Sequence, residues 1–188
     1  MNRCYASVRM MMAVAAGALF MSAIAGPASA QNVKWQNIVG IVQAGNIVGS
    51  FTTPPSCPVP PATPVGVGCI NGGGQPWTTL GGQAKVNLSN SKLEFEVNGL
   101  VLAGGNSIGT PDTITSVQGT LICIVGTATS NVILNTTSVP LSSTGDAQFS
   151  GSLGPISTSC QPSNVAFLIT IPAGRWIANG SVRSSSDN

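Results

Sequence analysis

Residues 164–183 read N-V-A-F-L-I-T-I-P-A-G-R-W-I-A-N-G-S-V-R, and they constrain the fold more than any other stretch. Val165, Phe167, Ile169 and Ile171 alternate with Ala166, Leu168 and Thr170, which is the period of a strand and not of a helix. Pro172-Ala173-Gly174-Arg175 is turn chemistry, with a glycine able to take positive φ. Trp176, Ala178, Gly180 and Val182 then alternate again. With Ala173-Gly174 as the loop, Ile171 faces Trp176, Ile169 faces Ala178, Phe167 faces Gly180 and Val165 faces Val182. All four pairs share one face, so the spacing predicts a buried C-terminal hairpin in a specified register, with Phe167 covering the gap left by Gly180.

The N-terminus reads as an address. Arg3 and Arg9 flank an apolar run from Met10 to Ala25, and Ala28-Ser29-Ala30 is an A-x-A cleavage site. The run is short for a membrane span and ends in Gly26-Pro27, so residues 1–30 are expected to be a secretory signal peptide and no span is expected after its removal. Removal takes two of the seven basic residues and leaves five against five acidic ones. With no basic patch, nucleic acid is a poor partner. So few charges on a neutral surface fit a protein that lives against a surface or against copies of itself.

Cys57, Cys69, Cys123 and Cys160 follow the signal, an even number in a chain expected outside the cytoplasm. Zinc fails on spacing, since there is no C-x-x-C, and on ligands, since the chain has no histidine. Two disulfides are expected, in one of three connectivities; the pairing favoured is Cys57–Cys69, closing a Pro-rich loop over 52–76, with Cys123–Cys160. No cofactor or metal is expected.

The rest of the chain is strand after strand. Apolar runs around Ile38–Val42 and Ile47–Phe51 flank Ala44-Gly45-Asn46, a strand–turn–strand pattern. Gln83–Ser89 and Lys92–Val97 flank Asn90-Ser91. That loop predicts Leu88 opposite Leu93, Val86 opposite Phe95 and Ala84 opposite Val97, with Asn87–Glu94 and an ion pair Lys85–Glu96 on the outer face. Thr113–Val125, with a bulge at Gly119, then Asn131–Val139 and Ala147–Leu153 supply further strands. The tail 184–188 is polar and expected to fray. No helical periodicity is present at useful length. The fold class is all-β: an antiparallel sandwich or barrel of about eight to ten strands, disulfide-stabilised, in a single domain over 31–183.

Several patterns suggest chemistry. Glu94 and Glu96 stand on one strand face, about 7 Å apart by strand rise, a spacing that could serve a glycosidase pair. A solvated outer face with a cross-strand ion pair accounts for them more simply. Gly105-Asn106-Ser107-Ile108-Gly109 matches the G-x-S-x-G elbow, which needs a strand before it, a helix after it and a general base. Strand-like sequence follows and no histidine exists, so this is a glycine-rich loop. Asp112 and Asp146 are turn formers before they are calcium ligands. Trp176 reads as core. Trp35 and Trp77 are the candidate binding residues, as indoles on which a sugar could stack.

Phe95-Glu-Val-Asn-Gly-Leu-Val-Leu-Ala-Gly-Gly-Asn106, Val117-Gln-Gly-Thr-Leu-Ile-Cys123, Val139-Pro-Leu-Ser, Gly145-Asp-Ala-Gln-Phe-Ser-Gly151, Phe167-Leu-Ile and Gly174-Arg-Trp-Ile-Ala together resemble a group of uncharacterised, exported bacterial β-rich proteins. The resemblance covers roughly residues 92–183. It implies no activity, carries over no functional residue, and supports Cys123–Cys160 as a structural pair.

The expectation is a secreted, periplasmic or cell-surface β module without catalytic residues, for binding or assembly at the cell exterior. Its partner would be a polysaccharide or another surface component. The alternatives are a self-associating structural subunit and a hydrolase built on Glu94, Glu96, Asp112 and Asp146.

Overall fold

A computed structural model describes residues 31–42, 47–48, 65–67, 69–125 and 131–186. Its strands are β1 (Asn32–Gly40), β2 (Ile47–Val48), β3 (Val65–Val67), β4 (Ile70–Asn71) and β5 (Trp77–Thr78). There follow β6 (Gly81–Asn87), β7 (Lys92–Asn98), β8 (Val101–Leu102), β9 (Ser116–Cys123) and β10 (Val132–Asn135). The last four are β11 (Val139–Pro140), β12 (Ala147–Ser152), β13 (Val165–Thr170) and β14 (Trp176–Ser186).

The main sheet runs β12-β7-β6-β1-β14-β13-β9-β10-β3, with β11 on β9. Every strand pairing in it is antiparallel. β7 and β13 have β6, β1 and β14 between them, yet the rings of Phe95 and Phe167 lie 5.6 Å apart. Trp35 of β1 meets the same Phe167 at 5.7 Å. A flat sheet could not bring these rings together. The sheet is curled into a half-barrel, and its inner face is the core.

The alternation explains which residues line that core. Leu93, Phe95 and Val97 point in, while Lys92, Glu94 and Glu96 point out. β9 and β13 differ: from Gly119 to Cys123 and from Phe167 to Thr170 every residue is buried. Both faces of these strands are covered, as their near-continuous apolar runs imply. Thr120 and Thr170 are buried there with their hydroxyls 2.8 Å apart, and Thr120 also donates to Asn135 at 2.7 Å, so no polar group is stranded.

The C-terminal hairpin exists, with the predicted register kept at Leu168–Asn179 and Ile169–Ala178 and altered only at the turn end. Ile169 faces Ala178 as predicted, but Trp176 faces Thr170 and not Ile171, because a bulge intervenes. Gly180 is covered by Trp35: a Cβ there would lie 2.6 Å from the indole Cγ. Val182 does not face the core. It takes φ 50° and is 66% exposed, opposite the point where β1 also changes phase, since Gln36 and Asn37 are both exposed.

The Gln83–Val97 hairpin is shifted by two residues. Val86 faces Leu93, Ala84 faces Phe95, and Lys85 faces Glu94 and not Glu96. A shift of two preserves every face. Its cause is a longer loop. Asn87 Oδ1 accepts from Ser89 N at 3.0 Å and Asn90 N at 3.1 Å, and Ser91 takes φ 59°. Leu88 leaves the ladder and tucks into the core.

Three other expectations change. β1 and β2 do not pair with each other: β1 lies between β14 and β6, and β2 pairs β4. Gly119 is no bulge, because β9 and β13 stay in register through it. The irregularity is on the neighbouring strand, where Thr136–Ser138 separate β10 from β11. The tail 184–186 is not free, since these residues pair with Lys34, Val33 and Asn32.

Cys123–Cys160 is a disulfide, as predicted, with an S–S distance of 2.07 Å. Cys69 is also disulfide-bonded; its predicted partner Cys57 and residues 1–30 and 52–64 lie outside the described residues. The C-terminal part of the predicted 52–76 loop is not all loop. β3 and β4 interrupt it, and Gly73 N donates to Trp176 O at 2.8 Å.

Candidate functional site: the polar outer face of four strands

The two halves of the half-barrel differ outside. On β12, β7, β6 and β1 the outer face is open to solvent, and its side chains form ranks across the strands. Lys34, Lys85, Glu94 and Ser150 stand on one transverse line through their pairings. Gln83, Glu96 and Gln148 form the next line on one side. Asn32, Asn87, Lys92 and Ser152 form the line on the other. Neighbours are about 4.8 Å apart across strands and about 7 Å apart along them.

This face carries Lys34, Lys85, Lys92, Glu94 and Glu96, half of the ten charged side chains that follow residue 30. Lys34, Gln83, Lys85, Glu94, Glu96 and Gln148 are exposed and border an open groove of about 720 Å³. Their internal bonds are long: Ser150 Oγ donates to Glu94 Oε1 at 3.4 Å, and Asn98 Nδ2 to Glu96 Oε1 at 3.4 Å. Most of the donor and acceptor capacity of these amides, ammoniums and carboxylates is therefore directed at solvent.

The structure distributes the sequence-derived candidates as follows. Glu94 and Glu96 do share this face, with Lys85 beside them. Trp35 and Trp77 do not. They are 2% and 5% exposed, and neither offers a ring face to a sugar. Trp35 lies against Phe167 inside the barrel, and Trp77 sits beneath the chain at Gly73. Trp176 is core, as expected.

The Gly105–Gly109 segment is a turn with both glycines at positive φ, and Ser107 donates to Asp112 Oδ1 at 3.2 Å. The next regular element is β9, a strand. A serine elbow leads into a helix, so the geometry is that of a loop.

Asp146 is a clamp. Its carboxylate accepts from Thr144 Oγ1 at 2.7 Å, from Gly99 N at 2.9 Å and from Ser142 Oγ at 3.3 Å. The Thr144 hydroxyl first, then the Gly99 amide, hold its pKa below the usual carboxylate value; desolvation opposes them, and the Ser142 hydroxyl adds a lesser lowering. Gly145 closes the same junction, where its oxygen accepts from Leu100 N at 2.7 Å.

Sequence reasoning missed Lys34, Gln83 and Gln148 as members of one site. Gln83 and Glu96 meet only in the shifted hairpin register. Lys34 and Gln148 come from strands far along the chain, and no local pattern joins them to β6 and β7.

The fold and this face define a curled antiparallel β module with a polar, open outer surface. Comparison with protein-family models, curated proteins and solved structures returns no match.

Proposed function

We propose that this chain is an exported, non-catalytic β module that binds a polysaccharide on the outer face of β1, β6, β7 and β12. The observation that carries the reading is the gathering of half the post-signal charges, together with Gln83 and Gln148, on one open four-strand face. A sugar hydroxyl both donates and accepts, and so do side-chain amides and serines. An open groove suits an extended polymer better than a small molecule, which favours an enclosing pocket. Recognition here would rest on hydrogen bonds and bridging waters, with no aromatic platform. Export rests on the features of residues 1–30, and the Cys123–Cys160 disulfide fits an oxidising compartment.

The hydrolase alternative is weaker. Glu94 and Glu96 stand side by side on one face of β7 and both are open to solvent, whereas a glycosidase pair flanks the scissile bond.

Affinity gel electrophoresis against neutral, anionic and cationic polysaccharides tests the proposal. At least one polymer should retard the wild type. The Gln83→Ala/Gln148→Ala variant should run freely while keeping its circular dichroism and melting temperature. Unretarded migration of the wild type in every polymer would sink the reading.

A further inference from the structure

We infer that the free edge of β12 pairs with the same edge of a second copy, joining two half-barrels into one continuous sheet. This goes beyond the polysaccharide reading and does not depend on it.

Among the described residues β12 pairs with β7 alone. Leu153 N donates to Ser91 O at 2.9 Å, in phase with that pairing. Bonded and non-bonded pairs alternate along an antiparallel ladder. Ala147, Phe149 and Gly151 therefore spend their backbone groups on β7. The N–H and C=O groups of Gln148, Ser150 and Ser152 point to the open side. All three residues are exposed.

Natural sheets guard such an edge with proline, lysine, a bulge or a covering segment. β12 reads Ala-Gln-Phe-Ser-Gly-Ser and stays in register with β7 throughout. β11 flanks only its Ala147 end. There Val139, Pro140, Ala147 and Gln148 border a groove of about 480 Å³, which leaves room for the end of an incoming strand.

The edge is complementary to itself. A two-fold axis at Ser150 sets Gln148 of one copy opposite Ser152 of the other, and Phe149 opposite Gly151. Within one copy the Phe149 ring already lies over Gly151, where a Cβ would stand 2.7 Å from Cζ, so the inner side of the edge is lined by this ring. Phe149 is half-buried, stacked on Phe95 at 5.9 Å, and its remaining exposed surface would be covered.

Charge selects the direction. In β7, Glu96 pairs Gln148, Glu94 pairs Ser150 and Lys92 pairs Ser152. Antiparallel docking puts Glu96 and Lys92 on one transverse line twice, against a single Glu94–Glu94 line. Parallel docking would set like charge against like on all three. The charges are about 14 Å apart, so this preference acts mainly at low ionic strength.

Sedimentation velocity of the oxidised protein, purified after expression of the full chain, tests the inference. A concentration-dependent dimer is expected, stronger at low salt. Ser150→Pro removes the outward N–H, which edge strands tolerate, and the long, exposed Oγ contact to Glu94, so the dimer should be lost while the circular dichroism stays unchanged. Ser150→Lys, which guards the edge by charge alone, should do the same and serves if the proline variant fails to fold. A wild type that sediments as a monomer throughout, or a dimer that survives in a folded Ser150 variant, overturns the inference. Polysaccharide affinity is measured separately, so either result leaves that reading intact.

Discussion

Gly119 lies under the ring of Phe95: a Cβ on it would stand 2.7 Å from Phe95 Cε1 and 3.2 Å from Phe167 Cε2. β9 and β7 are far apart in the sheet order, so this contact crosses the interior of the half-barrel. The glycine is needed for the close approach of two walls and not for an unusual backbone.

Gly119→Ala should therefore overpack the core and cost about 1–3 kcal/mol. Urea denaturation should show a lower midpoint with an unchanged slope. A variant as stable as the wild type would mean that the walls are looser than the contacts describe.

All three tryptophans are core residues, at 2%, 5% and 6% exposure. Emission of the native protein should be blue-shifted and shielded from acrylamide, and no polysaccharide should add protection. Trp35→Ala, which strips the cover from Gly180 and the contact with Phe167, should cost about 3–5 kcal/mol in denaturant unfolding. A readily quenched indole that one polymer shields would restore the stacking reading for Trp77.

Asp146 links stability to pH. Its folded pKa is lowered from 3.8 by the hydroxyls of Thr144 and Ser142 and the Gly99 amide. Its contribution is therefore present above the unfolded pKa and is lost as pH falls through the folded one. Asp146→Asn should melt below the wild type at neutral pH, and the two melting curves should converge in the acid range. Equal melting temperatures at pH 7 would show that the clamp holds nothing together.

Cys123–Cys160 spans a sequence separation of 37. Loop-closure arithmetic for that length gives about 4 kcal/mol of stabilisation through the unfolded state. The Cys123→Ala/Cys160→Ala variant should lose most of this in denaturant unfolding, while the Cys69 disulfide remains. A loss under about 1 kcal/mol would mean that the unfolded chain is already compact around this loop.

The strands of this protein were legible because a strand writes its own period. Lys92–Val97 alternates, and β7 alternates in burial with it. Ala147–Leu153 behaves in the same way, whereas Val165–Thr170 alternates in sequence but is buried on both faces from Phe167 on. Register was legible only to within the loop. Asn87 drew the backbone amides of Ser89 and Asn90 onto its side chain, lengthened the turn and moved every partner by two. The faces survived because two is the period of the strand.

The candidate site was half legible. Glu94 and Glu96 could be placed on one outer face from their spacing alone. Trp35 and Trp77 could not be placed, because an indole beside an alternating run serves equally as core or as platform, and burial decides between the two.

The sequence by itself determined the all-β class and the outward carboxylates, since each depends on local period; it allowed three disulfide connectivities, and the structure selected Cys123–Cys160. Tertiary structure alone decided that β1 stands between β14 and β6, that Trp35 covers Gly180, that Lys34 and Gln148 join Glu94 and Glu96, and that β12 pairs with β7 alone among the described residues. These are pairings between segments far apart in the chain. They are chosen by how the curled sheet closes on Phe95, Phe167 and Gly119, and no local run of residues encodes that closure.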